Sequence, residues 1–261
     1  MEMNRLRTIV GVTALLMAAA CGGPKEAGPA NATPAANAKH VDESKAATVT
    51  GRVTIEGTVP PNPPIKMGAD PYCAQQNPNG AAFENFVVNN GGLENVFVYV
   101  KDTFGDYHFD VPSEPVKLDQ KGCHYTPHVL GVQVGQKLAV SNSDDTMHNI
   151  HAAGSANGEW TKSEAIKGIT EDKIFTTREV MVPFKCDVHN WMHAYVGVLE
   201  HPYFAVTRDG GKFELKNLPA GTYTVEAWHE KLGTLTQSVT LGEKDTKEIA
   251  FTFKAAATGA N

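Results

Sequence analysis

The chain has little of what would build a membrane span, a nucleic-acid surface or a helical core. Beyond residue 20 no apolar stretch approaches the ~18 residues that a spanning helix requires. Lys and Arg number 23 against 29 Asp and Glu, a formal charge of −6, or −7 once residues 1–20 and their one net positive charge are set aside. No basic stripe is present, which argues against nucleic acid, and an acidic surface favours a basic partner only weakly. Helical periodicity is scarce after the first twenty residues. Cysteine is limited to four positions, Cys21, Cys73, Cys123 and Cys186.

In place of helices, short β-branched and aromatic runs recur between Gly, Pro, Asn and Asp. Strands are predicted at Ala47–Ile55, Val96–Lys101, Val129–Val134, Lys137–Ser141, Val180–Phe184, Ala194–Glu200, Lys212–Leu215, Thr222–Trp228 and Thr234–Leu241. The expected class is all-β, built as sandwiches. The length from Thr48 to about Lys254 suits one large β domain or two small ones, and the motifs below favour two.

The chemistry concentrates in two runs. One is Phe184-Lys185-Cys186-Asp187-Val188-His189-Asn190-Trp191-Met192, and the other, ahead of it, is Asn142-Ser143-Asp144-Asp145-Thr146-Met147-His148-Asn149. A thiolate, two imidazoles and a thioether form the donor set of a blue-copper site. The sulfur ligands suit Cu(I), imidazole tolerates both oxidation states, and a weak axial Met lets the geometry sit between the two preferences. Other readings of the same residues are a disulfide at Cys186 with bland histidines and a core Met192, or a zinc site, for which neutral Met is a poor ligand.

Val140–His151 resembles the first-ligand segment of the cupredoxins, and Cys186-x-x-His189-x-x-Met192 resembles their short, amicyanin-type ligand loop. The resemblance covers roughly Tyr125 to Val198. It implies a Greek-key sandwich holding one type 1 copper on His148, Cys186, His189 and Met192, with the imidazole edge of His189 as the solvent-facing exit for an electron. Trp191, inside the loop, either shields the metal and extends the electron path or packs on the sandwich. Asp144 and Asp145 read as turn formers before His148.

Arg5 and Arg7 followed by the apolar run Ile9–Ala20 read as an export signal, residues 1–20. Leu16-Met17-Ala18-Ala19-Ala20-Cys21 resembles a bacterial lipobox, which implies lipid on Cys21. Ala18 departs from the usual Leu, so cleavage after an A-x-A pattern is the alternative. Residues 21–47 then form a disordered tether of Ala, Gly, Pro, Asn and Lys, about 25–30 Å end to end. With Cys21 assigned to lipid and Cys186 to copper, Cys73 and Cys123 are left to pair in an oxidising compartment. The alternative is a second metal site on Cys123 with His124 or His128.

The segment Asp209–Ala227 resembles the carboxypeptidase regulatory-like, or transthyretin-like, sandwich. Gly210 and Gly211 supply a tight turn, Phe213 and Leu215 alternate inward, Pro219 and Gly221 turn again, and Tyr223, Val225 and Ala227 alternate back. Gly51–Pro60 and Gly92–Val100 look like the opening strands of the same module, displaced upstream. The expectation is a regulatory-like sandwich split into residues 48–103 and 200–255 around a copper domain at 104–199, with a disordered tail at 256–261. The competing arrangement is an extended cupredoxin followed by an ordinary sandwich.

The expected function is electron transfer by a lipid-anchored protein, periplasmic or on the cell surface, between redox proteins such as a cytochrome, an oxidase or a dehydrogenase. No catalytic residues are assigned and the protein is not expected to be an enzyme. Copper storage or delivery is one rival, with His151 and His193 as a relay, though no Met-rich or His-rich tract supports it. A structural lipoprotein without redox activity is the other. His193, His201 and His229 are either a second metal site or surface and interface histidines.

Overall fold

A computed structural model describes residues 38–255. The export signal, Cys21, most of the tether and the 256–261 tail lie outside the described residues. Among the described residues the chain is all-β apart from one short helix, Pro71–Gln76. The strands form two sandwiches within one compact unit.

In the first sandwich, Ala47–Glu56 lies at the centre of a sheet, antiparallel to Lys212–Leu218, parallel to Thr246–Lys254 and touching Gly92–Leu93. The facing sheet runs Phe204–Val206, Phe97–Val100, Gly221–His229, Gly233–Leu241. Strands from before and after the ligand runs therefore share both sheets: Gly51 pairs with Phe213, and Val100 with Val225. Val49, Val53, Val98, Leu215, Val225, Phe251 and Phe253 fill the space between them. At the Asp209-Gly210-Gly211 turn the backbones nearly touch. A Cβ on Gly92 would lie 1.7 Å from the Gly210 carbonyl oxygen, and one on Gly211 2.2 Å from that of Val53.

The second sandwich carries both ligand runs. One sheet orders Thr170–Ile174, Lys137–Asn142, Val116–Lys121 and His124–Thr126; the other orders Glu159–Glu164, His148–Ala153, Glu179–Lys185, His193–Leu199 and Val129–Gln133. Leu118, Leu138, Val140, Ile150, Phe184 and Val196 form its core. A third apolar layer joins the two sandwiches through Phe97, Tyr99, Val129, Met181 and Leu199. This explains why Phe97-Val98-Tyr99-Val100 is apolar without alternation: all four residues are buried, Val98 and Val100 facing one core and Phe97 and Tyr99 the other. Full burial of Phe97 stabilises the junction by roughly 2–3 kcal/mol.

The packing crosses the segment limits drawn from the sequence. Phe104 and Phe109, at the start of 104–199, pack on the first sandwich. Ile65, Met67, Tyr72, Cys73, Ala81 and Phe83, inside 48–103, pack on the core that contains Cys186 and Met192. This excursion between two strands of the first sandwich forms a cap over the ligand end of the second. Its helix starts where sequence chemistry directs: the Asp70 carboxylate accepts from the amides of Tyr72 and Cys73 at 2.8 and 3.2 Å, and Pro71 opens the first turn. Asn77 closes it, its amide donating to the carbonyls of Cys73 and Gly122 at 2.9 and 3.0 Å. Cys73 and Cys123 form a disulfide that pins the cap to the second sandwich, which removes Cys123 from any metal site with His124 or His128.

Candidate metal centre

His148 opens its strand directly after the turn that follows Lys137–Asn142. The Asn142 side chain shapes that turn, accepting from the Asp144 amide at 2.8 Å and donating to the carbonyls of Thr146 and Glu164 at 2.9 and 3.1 Å. Cys186 follows the Glu179–Lys185 strand. Its loop is closed by backbone bonds from the Cys186 amide to the Met192 carbonyl, 3.1 Å, and from the Met192 amide to the His189 carbonyl, 2.9 Å. Asn149 staples the two ligand segments, accepting from the Asp187 amide at 2.6 Å and donating to the Asp187 carboxylate at 2.9 Å.

Three of the four expected ligands converge. His148 Nδ1 lies 3.0 Å from His189 Nδ1, which is 3.9 Å from Cys186 Sγ. The other nitrogen of each ring is committed elsewhere: His148 Nε2 to Asp144 Oδ2 at 3.0 Å, and His189 Nε2 to Asp70 Oδ2 at 2.9 Å. An ionised carboxylate only accepts, so each Nε2 carries a proton, and a ring in its neutral form turns its Nδ1 lone pair toward the other. Two lone pairs facing each other in a site sealed from water require a shared proton or a cation between them. Met192, the fourth expected ligand, is 1 % exposed and packs in the same cluster as Cys186.

The electrostatics favour a thiolate. Burial alone would push the Cys186 thiol up, but bonds from the His148 and His189 side chains, with the amides of Asn149 and His189, outweigh it and hold the thiol down at about 6. Burial disfavours charge on His148 as well, yet Asp144 and Cys186 raise it to about 9. The same opposition raises His189, where Cys186 and Asp70 overcome desolvation. Asp144 and Asp70 are both lowered, their hydrogen bonds exceeding the cost of burial. Without metal the cluster is held by proton-borne charge, which a metal cation would displace.

Several expectations need correction. His189 is 2 % exposed: the cap covers its edge, with Asp70 on Nε2 and the Cys73 sulfur 3.6 Å away, so the imidazole does not face solvent. Asp144 is more than a turn former. It is buried and also accepts from the amides of Gly122 and Cys123, both at 2.7 Å; its exposed neighbour Asp145 makes no such bonds among those described. Trp191 packs on the sandwich and also lies over the cluster, its indole N–H donating to the Cys123 carbonyl at 3.0 Å and its ring centroid 5.1 Å from that of His189. His151 is paired on both nitrogens, with Asp187 and Glu159, and does not join the cluster. His193, His201 and His229 are not brought together: His201 packs against Phe104 and Tyr203, His229 against Phe86 and Phe253, and burial pushes both down to about 4.

No protein-family model and no curated protein matches the chain. Among solved structures, a Cu(I) form of an amicyanin variant is 22% identical over 34% of this chain and 86% of its own, with a TM-score of 0.29. A purple cupredoxin from Nitrosopumilus maritimus is 18% identical over 32% of this chain and 98% of its own, TM-score 0.28. The copper-containing nitrite reductase from Thermus scotoductus SA-01 is 17% identical over 40% of this chain and 26% of its own, TM-score 0.32.

Proposed function

We propose that the protein binds one copper ion, which His148, Cys186 and His189 would hold with the Met192 thioether as a weaker fourth donor, and passes single electrons. The observation that carries this reading is the convergence of two imidazole Nδ1 atoms and one thiolate whose alternative partners are all engaged. The disulfide withdraws the Cys73 and Cys123 sulfurs from metal binding, so neither can add a second thiolate to the centre. Two nitrogens and one sulfur remain, a donor set that suits copper better than the four strong ligands of a structural zinc. Bound copper supplies a one-electron couple. The protein fixes each imidazole through its distal nitrogen, holds Cys186 as a thiolate and excludes water, leaving His148, Cys186, His189 and Met192 at 2 % exposure or less.

That burial supports electron transfer over the alternatives. The cavity beside Met192 and Trp191 is about 20 Å³, room for little more than a water and none for a substrate. Sealed ligands also suit a resident ion better than one handed on. With the cap over His189, partner docking falls to the exposed apolar residues of the two ligand loops: Met147 and Val188, each 46% exposed, immediately precede the ligand histidines. The partner in this reading is another redox protein, and Cys21 carries lipid that holds the domain outside the cytoplasm.

Reconstitution tests the reading. Full-length protein should take up copper at this centre and show an intense thiolate-to-copper band in the visible, which Cys186→Ser abolishes. A weak Cu(II) spectrum in the wild type, or zinc displacing copper from the centre, would overturn it.

A further inference from the structure

A second cluster of ligand atoms lies at the junction of the sandwiches and is independent of the copper reading. His128 immediately precedes the Val129–Gln133 strand and His193 opens the adjacent, parallel His193–Leu199 strand, with Tyr195 level with Val129. The two rings stand edge to face, centroids 5.0 Å apart. Glu230 arrives from the other sandwich, one residue past the Gly221–His229 strand, and its side chain is 3% exposed. One oxygen lies 2.7 Å from His128 Nε2 and the other 3.7 Å from His193 Nε2. All three ligand atoms fall within 4.8 Å of one another.

The hydrogen bonds around His193 say what this cluster lacks. Its Nδ1 lies 3.0 Å from the Trp191 carbonyl, an acceptor only, so Nδ1 carries a proton, and in the neutral ring Nε2 presents a lone pair. That Nε2 is buried and has no hydrogen-bond partner. A lone pair aimed at a carboxylate without a proton between them is repulsive; a cation between them makes both into ligands. Tyr195 donates to Glu230 at 3.3 Å, and Lys231, whose side chain is 41% exposed and free to swing away, reaches it at 3.2 Å. The small cavity lined by His124, His128 and His193 offers room for a water as a further ligand.

We infer that His128, His193 and Glu230 form a second metal site, for a divalent ion of borderline softness such as Zn2+, which ties the two sandwiches together. Two imidazoles and one carboxylate with an open position form a recognised zinc donor set. No thiolate is present, so the site differs in chemistry from the first centre. Because two ligands come from one sandwich and the third from the other, an ion bound there stabilises their junction.

Calorimetric titration of the full-length Cys186→Ser protein with Zn2+ tests the proposal without the thiolate of the first centre. One equivalent should bind and raise the unfolding midpoint. Adding Glu230→Gln should weaken binding by at least about tenfold, the scale on which even supporting residues act, while adding His148→Gln should leave it unchanged. If Glu230→Gln unfolds the protein, His193→Gln, at a position 22% exposed, serves in its place. Absence of zinc binding would reduce the cluster to an ion pair between His128 and Glu230. Binding lost with His148→Gln and kept with Glu230→Gln would move the ion to the first centre, and either result overturns the proposal.

Discussion

Asp144→Asn tests how the metal centre is built, because every acceptor position of Asp144 is in use. Oδ1 takes the Gly122 amide at 2.7 Å and the Tyr72 hydroxyl at 3.3 Å; Oδ2 takes the Cys123 amide at 2.7 Å and His148 Nε2 at 3.0 Å. Asparagine has one oxygen and one NH2 group. Whichever way the amide turns, its NH2 faces a backbone N–H, leaving a buried donor unsatisfied at a cost of about 1–3 kcal/mol. Lost charge on the remaining bonds adds roughly 1 kcal/mol, so the metal-free protein should lose about 2–4 kcal/mol. With NH2 toward His148, the imidazole gains by moving its proton to Nδ1, where the metal should bind, and copper affinity should fall about 10–100-fold. Asp145→Asn is the control, expected within about 0.5 kcal/mol of wild type because the residue is exposed. Urea unfolding of metal-free protein and copper competition against a chelator measure the two effects. An Asp144→Asn protein that unfolds at the wild-type midpoint and holds copper as tightly would refute the positioning role.

Two further outcomes test the fold and its charge. Gly92→Ala places a Cβ 1.7 Å from the Gly210 oxygen and strains the 2.9 Å bond from the Gly210 amide to Glu94; overpacking and the weakened bond should together cost roughly 3–4 kcal/mol. Gly91→Ala meets nothing within 4 Å and bears only the strain of φ +74°, about 1–2 kcal/mol, so equal unfolding midpoints for the two variants would contradict the shared sheet. Glu164 is fully buried, and desolvation, opposed by His148, pushes its carboxyl from 4.5 up to about 8. The folded chain thus keeps a proton that the unfolded chain loses, and this contribution is complete below pH 4.5 and gone as pH rises through about 8. Glu164→Gln does not titrate, so its stability relative to wild type should rise by about 1.4 kcal/mol per pH unit between roughly pH 5 and 8; parallel stability curves would show that Glu164 is ionised in the native state.

What the sequence revealed was the chemistry that is local in the chain. The ligand residues sit in two short runs, and Val96–Val100 and Thr222–Trp228 are dense in apolar and β-branched residues, so both ligands and core strands could be read directly. Glu159–Glu164 could not, because it is an edge strand with mostly exposed polar side chains. Thr246–Lys254 does alternate Ile249, Phe251 and Phe253 inward, but its charged opening hides the pattern. The Asp70-Pro71 pair, the helix start observed in the fold, drew no expectation from the sequence. Its meeting with His189, 119 residues away, had no local signal. The cap reads as a Pro-rich loop whose apolar residues are too scattered to suggest a binding face, and so the covering of His189 was invisible until the chain was folded.

The disulfide explains how those distant pieces are held in register. Asp70 is bound to the Cys73 amide before it reaches His189, and Asp144 to the Cys123 amide before it reaches His148. Each carboxylate that orients a ligand ring is therefore anchored beside one half of the same cross-link, and Thr146, from the His148 turn, adds a hydroxyl bond of 3.1 Å to Asp70. Trp191 ties the Cys186 loop to the Cys123 carbonyl as well. A cross-link between residues 50 apart contributes on the order of 4 kcal/mol by limiting the unfolded chain, but its position has a second consequence. The carboxylates are fixed by backbone amides and a covalent bond, independently of any ion, so the rings need not move when the charge between them changes. Under the copper reading proposed above, rings held in this way would keep their geometry across a change of oxidation state, which is the physical requirement for passing an electron with little reorganisation.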